Sequence, residues 1–288
     1  MKKILIRTIS GAIYIAVIIV AVYIGDWACD YTLGEFVFGG LFLLFTIIGT
    51  NEVVKNLAVK GIHCNKAAVY TVAILAYLII FIWEQPALAE DEDWSLALLT
   101  TVPAVVMTPF ILQLWRNDEA PFANIGYSLL PTIWVAIPLS LANHINDTDN
   151  NLMMMVFVLI WVNDTFAYLT GMMFGRHKMW ERHSPNKTWE GTIGGLLFCV
   201  ATAIVTGSFF FDFFDNYYCI FDWVVIGVIC SVAGTLGDLV ESMFKRFCGV
   251  KDSGNIMPGH GGLLDRFDSL LLAVPFIQAY LVFAIGDL

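Results

Sequence analysis

Long apolar runs separated by short polar stretches dominate the chain. They fall at about 4–24, 36–51, 67–83, 95–115, 122–141, 152–173, 190–211, 220–240 and 269–286. Most are close to the length a membrane-crossing helix needs, about 20 mainly apolar residues. Lipid offers no hydrogen-bond partner to a bare backbone, so a helix that bonds its own amides is the natural element. No ten-residue alternation of the kind a membrane barrel requires is present. The pattern predicts an all-α fold, a polytopic integral membrane helical bundle with about nine transmembrane helices. The first run lies in MKKILIRTISGAIYIAVIIVAVYI and starts like a signal peptide. Its apolar part is too long for one, and eight further runs follow, so it reads as a retained span.

The polar stretches supply an orientation. With the N-terminus in the cytoplasm, all 15 Lys and Arg residues fall in inside segments, and the outside loops carry acids such as Glu84 and Glu90 to Asp93. That asymmetry is the usual mark of the cytoplasmic side. Two inside loops stand out, 174–189 and 241–268, and neither is long enough to form a soluble domain. The expected organisation is a single membrane domain over 1–288. Residues 1–150 form N-terminal spans, and 151–288 form a catalytic half carrying both loops.

Composition agrees and narrows the function. Hydrophobic residues make up 58% of the 288 and charged residues 14%, against about 25% charged in a soluble domain. A net charge of −10 gives no electrostatic footprint for nucleic acid. The six cysteines are scattered, with no CxxC pair and no zinc spacing. They read as small buried hydrophobes or free thiols.

Polar residues inside the apolar runs carry the chemistry. Asn163 and Asp164 interrupt LMMMVFVLIWVNDTFAYLTGMMFG, and Asp238 sits near the inner end of the eighth run, in GTLGDLVESMFKR. A carboxylate in a spanning helix costs about 2.5–3.5 kcal/mol on insertion scales, and such a cost usually marks a site. The bland alternative for each is a polar contact between helices. If the eighth helix continues inward, Glu241, Ser242 and Lys245 share the face of Asp238, with Arg246 beside them. Taken alone, Lys245 and Arg246 fit a snorkelling pair at the headgroups better than a site. In SPNKTWEGTIGG, from Ser184 to Gly195, the start of the seventh helix offers backbone donors, Lys187 and Thr188, although no Walker loop is present. The spacing of Gly191, Gly194 and Gly195 suits helix packing better than phosphate cradling.

The last polar stretch, MPGHGGLLDRFD, joins glycines, acids and bases at the entrance to the ninth run. Gly259, Gly261 and Gly262 let the backbone turn sharply and approach a ligand. Asp265 and Asp268 can complement the helix dipole. With Asp238 they could also hold a hard cation such as Mg2+, which takes oxygen ligands and substrate phosphates. His260 is a candidate phosphate donor. Acids, bases and glycines together point to phosphoryl-type transfer, which relies on metal, cations and positioning more than on a protein nucleophile. His177 and His183 read as solvated residues of a basic loop.

These residues resemble a known family, the phosphatidate cytidylyltransferases, or CDP-diacylglycerol synthases. The family signature reads approximately S-x-hydrophobic-K-R-x4-K-D-x-small-x2-hydrophobic-P-x-H-G-G-x2-D-R-x-D. Here it is SMFKRFCGVKDSGNIMPGHGGLLDRFD, Ser242 to Asp268, with Met257 where Leu, Ile or Phe is usual. The upstream pieces ND-T-x-A-Y at Asn163 to Tyr168, F-G-R-x-K at Phe174 to Lys178 and SP-x-KT-x-EG at Ser184 to Gly191 are similar as well. The strong match covers the C-terminal half, and the first 150 residues match only as spans.

The resemblance implies transfer of the cytidylyl group from CTP to phosphatidate, giving CDP-diacylglycerol and pyrophosphate in phospholipid biosynthesis. It implies Mg2+, alone or with a second cation. Metal binding would fall to Asp238, Asp265 and Asp268, and catalysis to Asp238, Lys245, Asp265 and Arg266. Phosphates would be held by Lys245, Arg246, Lys251 and Arg266. Ser184, Lys187 and Thr188 would contact nucleotide or lipid phosphate. Ser242, Asp252, His260, Gly261 and Gly262 would complete the substrate site, with Asn163 and Asp164 lining a polar cavity. The implied partners are CTP, phosphatidate and membrane lipids, with a homodimer as one open assembly and no nucleic acid. The implied location is a bacterial inner membrane, with the site at the cytoplasmic face. Two rivals stay open: a CTP-dependent kinase for a lipid alcohol such as a polyprenol, and an ion or proton transporter using Asp164 and Asp238.

Overall fold

A computed structural model describes residues 2–83, 92–209, 218–257, 259 and 261–285. The chain is helical through most of these. The helices are α1 (Lys2–Ala28), α2 (Tyr31–Val59), α3 (Lys66–Trp83), α4 (Glu92–Gln113), α5 (Pro121–Thr148), α6 (Asn150–Phe174), α7 (Trp189–Phe209), α8 (Ile220–Cys248) and α9 (Leu264–Tyr280). Each of the nine apolar runs lies mainly on one of them, with 210–211 and 286 outside the described residues. Among the described residues eight helices are long and apolar enough to cross a membrane, the last counted on through a π turn as Leu264–Ala284; in α4 the apolar part is the shorter Thr100–Gln113, containing Pro103 and Pro109. Helix α5 widens into a π turn over Thr132–Ala136. That turn lies between Pro131 and Pro138, neither of which has an amide hydrogen for the helical ladder.

Several helices outrun their apolar cores. Helix α2 extends to Val59, and α8 runs to Cys248 instead of stopping near 240. The extra turns carry polar residues that hydropathy discounts. The loop expected over 174–189 contains a short antiparallel hairpin, β1 (Lys178–Trp180) with β2 (Ser184–Thr188).

Packing divides the chain into two compact units, Met1–His144 with Phe247–Asp265, and Ile145–Arg246 with Arg266–Leu288. Residues 247–265 pack with the N-terminal helices.

In the first unit, Phe38 and Phe42 of α2 stack at 4.1 Å, and α3 packs Val69, Ala73 and Ala76 into the core. A set of buried polar groups around Tyr77 is hydrogen-bonded, as most such groups are. The Tyr77 hydroxyl donates to the Gly39 carbonyl at 2.7 Å and accepts from Asn143 Nδ2 at 2.9 Å, while Ser140 Oγ donates to the Tyr77 carbonyl at 3.0 Å.

The second unit is built on small residues. A Cβ at Gly191 would lie 2.7 Å from the Ala167 carbonyl oxygen, and one at Gly195 would lie 2.9 Å from that of Asn163. Helices α6 and α7 therefore approach backbone to backbone, the packing role expected of these glycines. The same device brings α8 onto α9: a Cβ at Gly237 would overlap the Asp268 carbonyl oxygen, and Ser269 Oγ donates to the Gly234 carbonyl at 3.0 Å.

Candidate functional site

The C-terminal end of α8 is an unbroken helix, so Asp238, Glu241, Ser242 and Lys245 do share one face. Ser242 Oγ donates to Asp238 Oδ1 at 3.4 Å. Lys245 Nζ lies 2.5 Å from Glu241 Oε2, and the Glu241 side chain is only 1% exposed. Lys245 is therefore turned into the unit by an ion pair; it is not a free snorkelling cation.

The close approach at Gly237 adds a carboxylate from α9. Ligand oxygens of Asp238, Glu241 and Asp268 all lie within 4.8 Å of one another. Three carboxylates this close repel unless cations neutralise them. Oxygen-only donors at this spacing fit a hard divalent cation, which prefers such ligands and completes its shell with water and phosphate.

Two lysines and an arginine supply compensating charge. Lys187, near the end of β2, places Nζ 2.6 Å from Asp238 Oδ2 and donates to the Thr235 carbonyl at 3.1 Å. The hairpin makes this reach possible, and its ends are fastened. Trp189 N donates to the His177 carbonyl at 3.0 Å, and the Glu190 carboxylate accepts from the amides of Arg176 and His177 and pairs with His177 Nδ1 at 2.5 Å. Thr188 is buried, and its Oγ1 accepts from Gly191 N at 3.2 Å, so it caps the first turn of α7. Ser184 opens β2 opposite Trp180. Asp164 lies within electrostatic reach of Asp238, Lys187 and Arg266. Asn163 is buried; its Oδ1 accepts from Ser231 Oγ at 2.6 Å and its Nδ2 reaches Thr235 Oγ1 at 3.5 Å. It ties α6 to α8 directly behind Asp164. Arg246 and Arg266 are exposed.

In the first unit the signature loop closes on itself. Met257 N donates to the Gly261 carbonyl at 3.0 Å, and Gly259 and Gly261 take φ of 80° and 86°, which favours glycine. Asp265 Oδ2 accepts from Gly262 N at 2.7 Å, Ser253 N at 2.9 Å and Ser253 Oγ at 2.9 Å. Lys251 and Asp252 are exposed. His260 lies outside the described residues.

The metal set expected from the sequence was Asp238, Asp265 and Asp268. Asp238 and Asp268 do come together, and the third acid beside them is Glu241. Asp265 falls in the other unit and belongs to no cluster of three metal-ligating side chains among the described residues. Its Oδ2 is occupied in shaping the loop. Glu241 was visible on the α8 stripe but was not assigned a ligand role, since spacing along one helix says nothing of what α9 brings. Glu52 and Asn56 of α2 were missed entirely. Both are buried and both bond to the signature loop. The one available signal was an acid and an amide just past the end of the second apolar run.

A family model described as the cytidylyltransferase family matches residues 5–284. The chain belongs to the cytidylyltransferase family. Relatives agree on the name. A Staphylococcus aureus (strain COL) protein named phosphatidate cytidylyltransferase is 43% identical over 207 residues, covering 71% of this chain and 76% of its own length. A Staphylococcus haemolyticus protein of the same name is 34% identical over 231 residues, 80% of this chain and 82% of its own. One from Haemophilus influenzae is 38% identical over 199 residues, 67% and 66% respectively. With eight helices able to cross a bilayer and bacterial relatives of this kind, the family member is a multi-pass membrane enzyme. The match spans the N-terminal helices as well, which the motifs alone did not cover.

Proposed function

We propose that this chain transfers the cytidylyl group of CTP to phosphatidate at the cytoplasmic face of the membrane, releasing pyrophosphate. The observation that carries the site is the convergence of Asp238, Glu241 and Asp268 beside Lys187. Acids clustered this closely suit a divalent cation, and Mg2+ is the proposed one. When bound, such a cation neutralises phosphate charge and favours an in-line displacement.

The chain's own groups do the rest. Asp238, Glu241 and Asp268 hold the cation. Lys187 and Lys245 exchange their carboxylate partners for phosphate oxygens as substrate enters. Arg246 and Arg266, both exposed, receive the remaining phosphate charge. A phosphate oxygen of phosphatidate forms a bond to the alpha phosphorus of CTP, and the bond from that phosphorus to the bridging oxygen breaks, so both electrons leave with pyrophosphate. The attacking phosphate is already an anion at neutral pH, so no strong general base is needed.

Purified protein incubated with CTP, phosphatidate and Mg2+ is expected to yield CDP-diacylglycerol and pyrophosphate by mass. CDP with a newly phosphorylated lipid would indicate a kinase instead, and unconsumed CTP alongside ion flux in proteoliposomes would indicate a transporter.

A further inference from the structure

The first unit contains a buried carboxylate far in sequence from the signature it touches. Glu52 of α2 is 5% exposed. Its Oε1 accepts from Leu263 N at 2.9 Å, and its Oε2 accepts from Leu264 N at 3.0 Å and from Ser253 Oγ at 3.0 Å. Those two amides belong to the first turn of α9 and its preceding residue, where a helix leaves N–H groups without internal partners. An anion there also faces the positive end of the helix dipole. One helix turn further along α2, Asn56 Nδ2 donates to the Ser253 carbonyl at 2.9 Å.

The fit is close on every side. A Cβ at Gly254 would fall on Glu52 Oε1, and one at Gly262 would fall on Ser253 Oγ and lie 2.6 Å from Glu52 Oε2. Ser253 Oγ also lies 2.9 Å from Asp265 Oδ2. Its single proton is therefore shared between two carboxylates, one from α2 and one from the signature. A buried carboxylate costs several kcal/mol unless its oxygens are well bonded, so an acid kept here serves the loop it bonds.

We infer that Glu52, assisted by Asn56, is a positioning residue for the signature loop. It caps α9 and, through Ser253, holds the Asp265 carboxylate in register. This rests on the proposed cytidylyl transfer for its catalytic consequence. It gives the N-terminal helices a part in the reaction that their lack of motif residues conceals.

Glu52→Gln keeps the shape, removes the charge and replaces one acceptor oxygen with a donor. Two readouts are taken on the full-length protein in detergent: amide hydrogen exchange across 253–264, and kcat and KM for CTP. Exchange should quicken at Gly262 to Leu264 while distant α3 and α7 amides stay protected. Turnover should fall about 10-fold to 100-fold at saturating substrate, the scale of a small misplacement at a reacting centre, with Glu52→Asp recovering part of it. Ser253→Ala, which removes only the bridging hydroxyl, carries the same two readouts should Glu52→Gln fail to accumulate. Unchanged exchange over 253–264 overturns the clamp. Quickened exchange with unchanged kcat and KM overturns its role in the reaction. A wild-type protein that forms no CDP-diacylglycerol sinks the functional reading with its catalytic consequence, and the exchange measurement still decides the clamp.

Discussion

Lys187 Nζ sits 2.6 Å from Asp238 Oδ2, joining the hairpin that precedes α7 to an acid in the C-terminal half of α8. The two residues are 51 apart in sequence, and the distance is that of a charge-assisted hydrogen bond. A mere structural tie would survive reversal of its charges. The proposed site would not, since each charge faces a different ligand. Lys187→Ala should lower turnover at least 10-fold with folded protein retained, and Asp238→Asn should nearly abolish it. The swapped Lys187→Asp, Asp238→Lys double variant should stay inactive. Recovery of CDP-diacylglycerol formation by the swap would reduce the pair to a structural contact.

Glu241 and Lys245 form a buried pair at 2.5 Å. Removing one partner of such a pair leaves an uncompensated buried charge and costs about 3–5 kcal/mol, whereas replacing both is often neutral. Lys245→Met should therefore melt earlier than Glu241→Gln, Lys245→Met together. If Lys245 also holds phosphate and Glu241 holds the cation, the double variant regains thermal stability and stays inactive. Thermal unfolding in detergent, followed by turnover at matched folded protein, separates the two. A double variant that regains activity with stability would show that neither residue meets substrate.

Gly237 is where α8 meets α9. An added Cβ there would overlap the Asp268 carbonyl oxygen and lie 3.1 Å from Ser269 Cα, both backbone atoms that cannot turn aside. Overpacking of this kind costs about 1–3 kcal/mol. Gly237→Ala should push Asp268 away from Asp238 and raise the Mg2+ concentration needed for half-maximal activity about 10-fold. Gly40→Ala, with nothing within 4 Å of its Cβ, is the matched control and should leave both stability and Mg2+ dependence unchanged. Equal behaviour of the two variants would remove the close helix approach from the site.

The partition of basic residues requires α4 to cross the membrane despite the short apolar stretch Thr100–Gln113. If it crosses, Asp30 and Asp147 both face outward. If it does not, they face opposite sides. Single cysteines at Asp30, Asp147 and Lys178 are compared in a background without native cysteines, using an impermeant thiol reagent on intact cells. Labelling is expected at positions 30 and 147 directly, and at 178 only once the membrane is opened. Protection of position 147 would overturn the nine-crossing topology and the cytoplasmic placement of the hairpin with it.

The sequence by itself determined the fold class, the approximate spans and the reaction family. Membrane insertion depends on local hydrophobicity summed over about 20 residues, and the 27-residue run from Ser242 to Asp268 is read in order along the chain. The α8 stripe was also legible, because helical spacing alone puts Asp238, Glu241 and Lys245 on one face. Only the tertiary structure decided which acids meet. Asp268 joins Asp238 because Gly237 lets two backbones touch, and Asp265 Oδ2 is taken up by Ser253 and Gly262. Glu52 reaches Leu264 across 212 positions in the chain. The free energy that keeps a buried carboxylate there comes from amides exposed by the start of a helix that begins far away in the sequence, so no local window of residues could have announced it.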